Sequence, residues 1–266
     1  MYWQKRFERE DKDGALKEAI LAIRREHPNY GYRRIHADLR NRGHKVNKKR
    51  IQRICQELRI QVRSFGRKFR RYSSYKGIVG RIAPNRVNRR FKTNIVHQKI
   101  TTDTTEFKYY EEDREGKLQV KKRYLDPFLD LYNLEIISYK ISSQPNKGNM
   151  LEALADAIEK TQDCCYRRTF HSDRGWAYQM PAYQNLLRQH GIFQSMSRKG
   201  NCYDNSPMEN FFGILKQEIY YGQVYRSRKE LTRAIAEFIE YYNEKRIKAQ
   251  LNWKSPVQFR EEQMSA

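Results

Sequence analysis

The 266-residue chain has no run of 18 apolar residues, which leaves no candidate for a membrane-spanning helix. Its first residues, Met1-Tyr2-Trp3-Gln4-Lys5-Arg6, lack the apolar stretch of a secretory signal, so a soluble, intracellular protein is expected. Cysteine is scarce. Cys55, Cys164, Cys165 and Cys202 form no C-x-x-C pair, and no His pair stands beside them at zinc-finger spacing. This argues against structural zinc and fits a reducing compartment. The adjacent Cys164 and Cys165 are expected to pack at a strand edge. No internal repeat is present, which excludes a solenoid. Acidic residues are few: 31 Asp and Glu against 54 Lys and Arg, a net charge of +23. A polyanionic partner accounts for that imbalance most simply, with nucleic acid favoured over a membrane surface. The length suffices for an ordinary core, in one large domain or two.

What is present begins with three helical periods. Ala15–Glu26 carries Leu16, Ile20 and Ile23 on one face, Tyr32–Arg42 carries Ile35 and Leu39, and a third helix runs from an N-cap at Asn47 to Leu58 with Ile51 and Ile54 inward. Lys48, Lys49, Arg50 and Arg53 fall on the outward face of the third. This is the layout of a helix-turn-helix, whose last helix would enter a major groove. A small basic three-helix bundle with solvated charges fits the same pattern. From Gln61 to Thr102 there is no Asp or Glu at all. Arg67, Lys68, Arg70, Arg71, Arg89 and Arg90 stand there among Phe65, Phe69, Tyr72, Tyr75 and Phe91. Such a block repels itself unless a polyanion neutralises it, so it reads as a linker tracking a DNA backbone; a basic tether without defined contacts is the alternative.

From about residue 95 the pattern changes to strands at Lys99–Phe107, Leu118–Leu131 and Leu134–Ile141. A helix follows over Asn146–Lys160, then a strand at Arg168–Ser172, a helix at Met180–His190, a strand at Ile192–Ser195, and a helix from about Pro207 to Tyr220. Three strands followed by alternating helices and strands predict a mixed-sheet α/β domain. A last helix, Lys229–Tyr242, and a tail close the chain. The expected division is 1–60 helix-turn-helix, 61–94 linker, 95–223 catalytic domain and 224–266 C-terminal helix and tail.

Three carboxylates stand out: Asp103 in T-T-D-T-T-E-F, Asp173 in H-S-D-R-G, and Glu209 in Y-D-N-S-P-M-E-N-F-F, the last two 35 residues apart. Displacement at a phosphodiester needs a deprotonated oxygen nucleophile and relief of charge on the leaving oxygen. Two Mg²⁺ ions held by carboxylates from separate rigid elements would supply both. Each residue also has a plainer reading. Asp103 could hydrogen-bond its Thr neighbours, Asp173-Arg174-Gly175 could be a turn, and Ser206-Pro207-Met208-Glu209 could be a capping box. Along the last helix, Met208, Phe212, Leu215 and Ile219 form an apolar stripe. Glu209, Gly213 and Lys216 share the adjacent face, Gly213 leaving room for close approach and Lys216 placed to hold a phosphate. Asp126, Asp130 and Asp204 rank below the trio, since a turn or solvent explains each; His171 reads as packed within its strand.

The motifs T-D-T-T-E-F, H-S-D-R-G, D-N-S-P-M-E-N-F-F-G-I-L-K-Q-E and Y-Y-N-E-K-R-I-K-A-Q-L-N-W-K-S-P-V-Q-F resemble those of the DDE transposases of the third insertion-sequence family, as the product of their second reading frame. G-Y-R-R-I-H-A-D-L-R resembles the family's internal helix-turn-helix. The resemblance implies an RNase H-like core related to retroviral integrases, with Mg²⁺ or Mn²⁺ bound by Asp103, Asp173 and Glu209. It also implies 3′-end cleavage and strand transfer at terminal inverted repeats, and a contact from Lys216 to the element's end. It further implies at least a dimer on DNA, an upstream-frame (OrfA) partner, and action at the nucleoid in a bacterial cytoplasm. Two positions depart from the family pattern: Ile100, where an aromatic residue is common, and Arg246-Ile247-Lys248, where many relatives have Arg-x-His. A non-catalytic DNA-binding regulator of element ends is the alternative from another class.

Overall fold

The computed structural model describes residues 11–62, 77, 80–113 and 115–265, with Cys202 described through its backbone only. Arg67, Lys68, Arg70 and Arg71 therefore lie outside the described residues. The chain divides into two compact units, residues 1–67 with 247–254, and residues 68–246 with 255–266.

The first unit is built on α1 (Gly14–Glu26), α2 (Tyr32–Asn41) and α3 (Lys48–Glu57). The apolar period buries Ile20 and Ile23 of α1, Ile35 and Leu39 of α2, and Ile51 and Ile54 of α3. Asn47 caps α3 by accepting the Lys49 N–H at 2.8 Å. The segment 247–254 returns to this unit. Arg34 Nε donates to the Ile247 carbonyl at 3.2 Å, the Ile247 N–H to the Tyr30 hydroxyl at 3.0 Å, and Asn41 Nδ2 to the Trp253 carbonyl at 3.1 Å.

The second unit is a six-stranded mixed sheet with helices on both faces, an RNase H-like arrangement. Its elements are β1 (Lys99–Thr102), β2 (Thr105–Glu112), β3 (Leu118–Asp130), β4 (Ile136–Ser142), α4 (Lys147–Lys160), β5 (Thr169–Ser172), the single turn α5 (Trp176–Gln179), α6 (Pro181–Gln189), β6 (Phe193–Met196), α7 (Ser206–Leu215), α8 (Arg228–Glu244) and α9 (Pro256–Met264). Antiparallel β4 lies on one edge of β3, and β1 and β2 lie in succession along the other; β5 and β6 then continue parallel to β1.

The strand expected over Lys99–Phe107 is two strands. Thr102 opposes Phe128 and Thr105 opposes Leu125, so one register carries Asp103 and Thr104 across from Pro127 and Asp126. Proline has no N–H to donate to a ladder, and the ladder is broken there. Residues of one parity along β3 (Leu125, Leu129) join a core with α7 and α8, through Met208, Phe211, Leu231 and Phe238. Phe128 joins Ile100 and Phe170 in a second core with α4 and α6, through Leu154, Tyr183 and Leu187. The helix expected over Pro207–Tyr220 is α-helical only to Leu215; Lys216–Tyr220 form a wider, π-helical turn.

Two aspartates expected at turns or in solvent are buried. Asp130 accepts the backbone N–H groups of His97 and Tyr132, and burial raises its carboxyl to about 6. Asp204 is fully buried and accepts from Asn85 Nδ2 at 3.0 Å, Arg89 Nε at 2.8 Å, and the Arg198 backbone N–H and guanidinium. Arg198's hydrogen bonds lower its pKa most, with Arg89 adding to the effect. The Asp204 carbonyl takes a bond from His171 Nε2 at 2.8 Å. A carbonyl can only accept, so Nε2 carries the proton and Nδ1 accepts from the Ser195 hydroxyl at 2.9 Å. Burial pushes His171 down to about 4, leaving a neutral strand-packing residue. Ser195 Oγ also accepts the backbone N–H groups of Arg86 and Val87, tying residues 85–89 to β6.

Asp204→Asn should cost about 2 kcal/mol in a denaturant titration. That is below the roughly 3–5 kcal/mol of a fully buried pair, because both arginines are half-exposed. Because the carboxyl is depressed, the wild-type advantage should be full above about pH 4, the ordinary aspartate value, and shrink as pH falls further.

Candidate active site

Parallel pairing sets the first two carboxylates side by side. β1 and β5 pair Lys99 with Thr169, Ile100 with Phe170 and Thr101 with His171. The same offset carries residue 103 to residue 173, at the C-terminal ends of neighbouring strands about 4.8 Å apart. Asp103 and Asp173 line one cavity of about 250 Å³, shared with Glu106, Asp126, Asn146 and Tyr178. Asp173 Oδ1 accepts the Gly175 N–H at 2.7 Å. A Cβ at Gly175 would sit 2.9 Å from that oxygen and 3.3 Å from the Tyr178 ring, so the glycine is what admits both.

Glu209 stands in the first turn of α7, exposed, and does not line the cavity. The capping box that was the plainer reading of Ser206-Pro207-Met208-Glu209 is absent: the N-cap is Asn205, and no side chain caps the helix. Asn205 is used otherwise. It is buried, accepts from the Thr101 hydroxyl, and donates Nδ2 to the Thr102 carbonyl at 3.0 Å. The start of α7 is thereby tied to the strand end that presents Asp103. Gly213 has open space where a Cβ would stand, so that face of the helix is clear at this position.

Electrostatics link the three. Burial, then the Asp173 charge, and then those of Glu209 and Asp126 raise Asp103 well above the usual carboxylate range, against the N–H of Thr104. Burial also raises Asp173, and loss of water contact raises Glu209. Among the described residues, no three His, Cys, Asp or Glu side chains close around a single point tightly enough to hold an ion. The arrangement is thus an aspartate pair with a third carboxylate set wider, near enough for its charge to be felt at Asp103. Hard oxygen donors that repel one another suit a divalent cation, and Glu209 would have to swing inward to join them.

Two further residues escaped sequence reading. Asp126, expected in a turn or solvent, is buried on β3 and accepts the Thr104 hydroxyl at 2.6 Å, bracing the residue after Asp103. Its alternation with Phe128 was the available signal. The Tyr178 hydroxyl is buried in the cavity wall with the Thr104 side chain nearby, yet has no hydrogen-bond partner among the described residues. Burying a hydroxyl unpaired costs about 1–3 kcal/mol, and nothing local in the sequence marks it.

The basic residues are dispersed. Arg50 and Arg53 are ion-paired to Asp13, Arg53 also to Glu57, while Lys48 and Lys49 are exposed. Arg89 is held by Asp204, and Arg90 is exposed. Lys216 starts the π-helical turn with its ammonium 5.1 Å from the Phe107 ring centroid.

Asp103→Asn should raise the melting temperature at pH 7 in the absence of divalent cations, because it removes a buried charge that its neighbours repel. For a carboxyl raised by folding, the wild-type deficit is absent below about pH 4 and complete once the folded-state group ionises. Thermal melts across that range should therefore converge at the acid end.

Comparison with known proteins gives the same picture. Family models described as an integrase core domain match residues 93–202 and 209–264, and one described as an HTH-like domain matches residues 10–69. InsK of insertion sequence element IS150 from Escherichia coli (strain K12) is 40% identical over 260 residues, covering 97% of this chain and 87% of that protein. The transposase of insertion sequence element IS904 from Lactococcus lactis is 32% identical, covering 92% of each. Among solved structures, the magnesium complex of the HTLV-2 integrase catalytic core domain aligns with a TM-score of 0.46 and 16% identity, covering 62% of this chain and 97% of that one. By the integrase-core and HTH-like family models and these insertion-sequence relatives, the chain belongs to the DDE transposases of the third insertion-sequence family.

Proposed function

We propose that this transposase cleaves one DNA strand at the terminal inverted repeats of its element and then joins the freed end to a second site, with Asp103, Asp173 and Glu209 as the catalytic carboxylates. In the first step a water oxygen bonds to phosphorus and the 3′-oxygen leaves, taking a proton to become a 3′-OH. In the second, that 3′-OH attacks another phosphodiester; one ester bond forms as one breaks, so no outside energy source is needed. The observation that supports this best is the equivalent register of residues 103 and 173 on adjacent parallel strands, opening into one acidic cavity.

Integrase-type cores use divalent metal ions, and two Mg²⁺ or Mn²⁺ ions bound by the trio would act as Lewis acids on the entering and leaving oxygens. The protein's own contribution is orientation. Asn205 keeps the Glu209 helix against β1, Asp126 braces Thr104, and Gly175 makes room for Asp173. The Tyr178 hydroxyl is available to donate to a phosphate or water oxygen that enters the cavity. DNA is the partner that the helix-turn-helix and integrase core imply. Lys48, Lys49 and Lys216 are its proposed contacts, together with the linker arginines. Two element ends must meet, which calls for at least two protomers, and an upstream-frame partner would add its own end recognition. The reaction belongs in the bacterial cytoplasm, at the nucleoid. Among the described residues no helix is long and apolar enough to cross a membrane.

Asp103→Asn, Asp173→Asn and Glu209→Gln should each lower Mg²⁺-dependent nicking of an inverted-repeat duplex by more than about 100-fold, beyond the usual effect of a supporting residue. Binding of the same duplex should persist. Full nicking by any one of the three would remove that residue from the mechanism, and full nicking by all would leave a DNA-binding regulator contaminated by another nuclease. Tyr178→Phe should slow nicking about tenfold while keeping or raising the melting temperature, since it deletes an unpaired buried hydroxyl. Unchanged nicking would remove the phenol from the reaction.

A further inference from the structure

A second cavity lies at the opposite end of the strands that present Asp103 and Asp173. Arg81 and Arg86 from the segment before β1, Arg167 just ahead of β5, and Arg188 at the end of α6 surround a space of about 250 Å³ beside Gln184 and Phe193. Among the described residues, no Asp or Glu lines it. All four arginines are exposed, yet they are not loosely solvated. Arg167 Nε donates to the Gly191 carbonyl at 3.0 Å, and Arg188 Nη1 donates to Asn185 Oδ1 at 2.9 Å. The Arg86 backbone is anchored on Ser195 Oγ at 2.9 Å. The Arg86 and Arg167 guanidinium carbons lie 4.2 and 3.7 Å from the centroid of one ring, Phe193. Two positive charges are therefore stacked on a single aromatic, and two more stand around the same space without a carboxylate between them.

Like charges gathered this way repel one another at a cost that an anion would relieve. Planar guanidinium forks suit a phosphate, whose oxygens accept paired N–H donors. An acidic face of a second copy is a poor candidate, because the chain carries +23. Position separates this cavity from the reacting centre. Six residues run from Arg167 to Asp173 through β5, about 20 Å at the rise of a strand. That span corresponds to about six base pairs of duplex at 3.4 Å per step. An anion here is therefore not the scissile phosphate.

We propose that the four-arginine cavity is a second DNA-holding site, which takes the sugar–phosphate backbone of a duplex about six base pairs from the reacting phosphodiester. The inference rests on the proposed reaction, since its spacing is measured from Asp173, but the binding assay reads it without requiring cleavage. Its role is to fix the direction in which DNA leaves the active site, so that the scissile bond is held from two separated points.

Fluorescence anisotropy with the full chain tests this, using a labelled inverted-repeat duplex between about 50 and 200 mM salt. The variants are Arg167→Ala/Arg188→Ala and the charge-keeping Arg167→Lys/Arg188→Lys, each checked for folding by its thermal melt. The alanine pair should bind more weakly, with a plot of log affinity against log salt shallower by about two units, since each phosphate contact contributes about 0.9. The lysine pair should keep close to the wild-type slope. The loss should be seen on a duplex extending more than about ten base pairs from the scissile position and vanish on one ending within about four. A wild-type slope for the alanine pair on the long duplex overturns the proposal. So does an unchanged slope on DNA with weakened binding to polyglutamate, which would assign the cavity to an acidic polypeptide. Nicking by the wild-type chain is measured separately: a shallower slope without any Mg²⁺-dependent nicking would support this site while defeating the enzymatic reading.

Discussion

The parallel pairing of β1 with β5 is the constraint on which the rest of the catalytic unit depends. Backbone hydrogen bonds set that register, and a strand can slip only by turning its buried face outward. Once Thr101 is paired with His171, residues 103 and 173 are brought to the same level by geometry alone. Burial first, and then the charge of Asp173 beside it, drive Asp103 far from ordinary carboxylate behaviour. Folding therefore places two acids where neither would choose to ionise beside the other without a cation.

Much of the surrounding structure holds that arrangement in place. Pro127 interrupts the ladder opposite Asp103, and Asp126 steadies the adjacent Thr104. Asn205 fastens the start of α7 to the end of β1, and the packing of Met208, Phe211 and Leu215 keeps the helix on its face of the sheet. Behind the strand ends, a neutral His171 and a fully ionised Asp204 join β5, β6 and the segment around Arg89 in one network. These polar groups are buried but each meets a partner, which makes them rigid supports. The Tyr178 hydroxyl is a contrast. It stands unpaired at the cavity itself, where an incoming oxygen can complete it.

Positive charge is distributed by the fold more selectively than composition suggests. Arg50, Arg53 and Arg89 are committed to carboxylates. Arg81, Arg86, Arg167 and Arg188, which no single stretch of sequence brings together, converge without one. A count of basic residues identifies the kind of partner, since long-range charge is insensitive to position. It does not distinguish cations that close the fold from cations left for a ligand.

The three N-terminal helices and the alternation of strands and helices after residue 95 were legible in the chain. They are periodic or local signals, and the acidic trio stands in motifs long enough to be recognised. The capping box that was the plainer reading of Ser206 does not form, because the start of that helix depends on what stands across space from it. Asp126, Asp204, Asn205 and Tyr178 were undervalued for the same reason: burial and hydrogen-bond partners come from residues tens of positions away. Order along the chain thus determined which elements form and which side chains could react. Long-range pairing alone decided that 103 would meet 173, that Glu209 would stand outside their cavity, and which arginines would be left facing one another, because strand register and sheet packing join segments that carry no mark of each other.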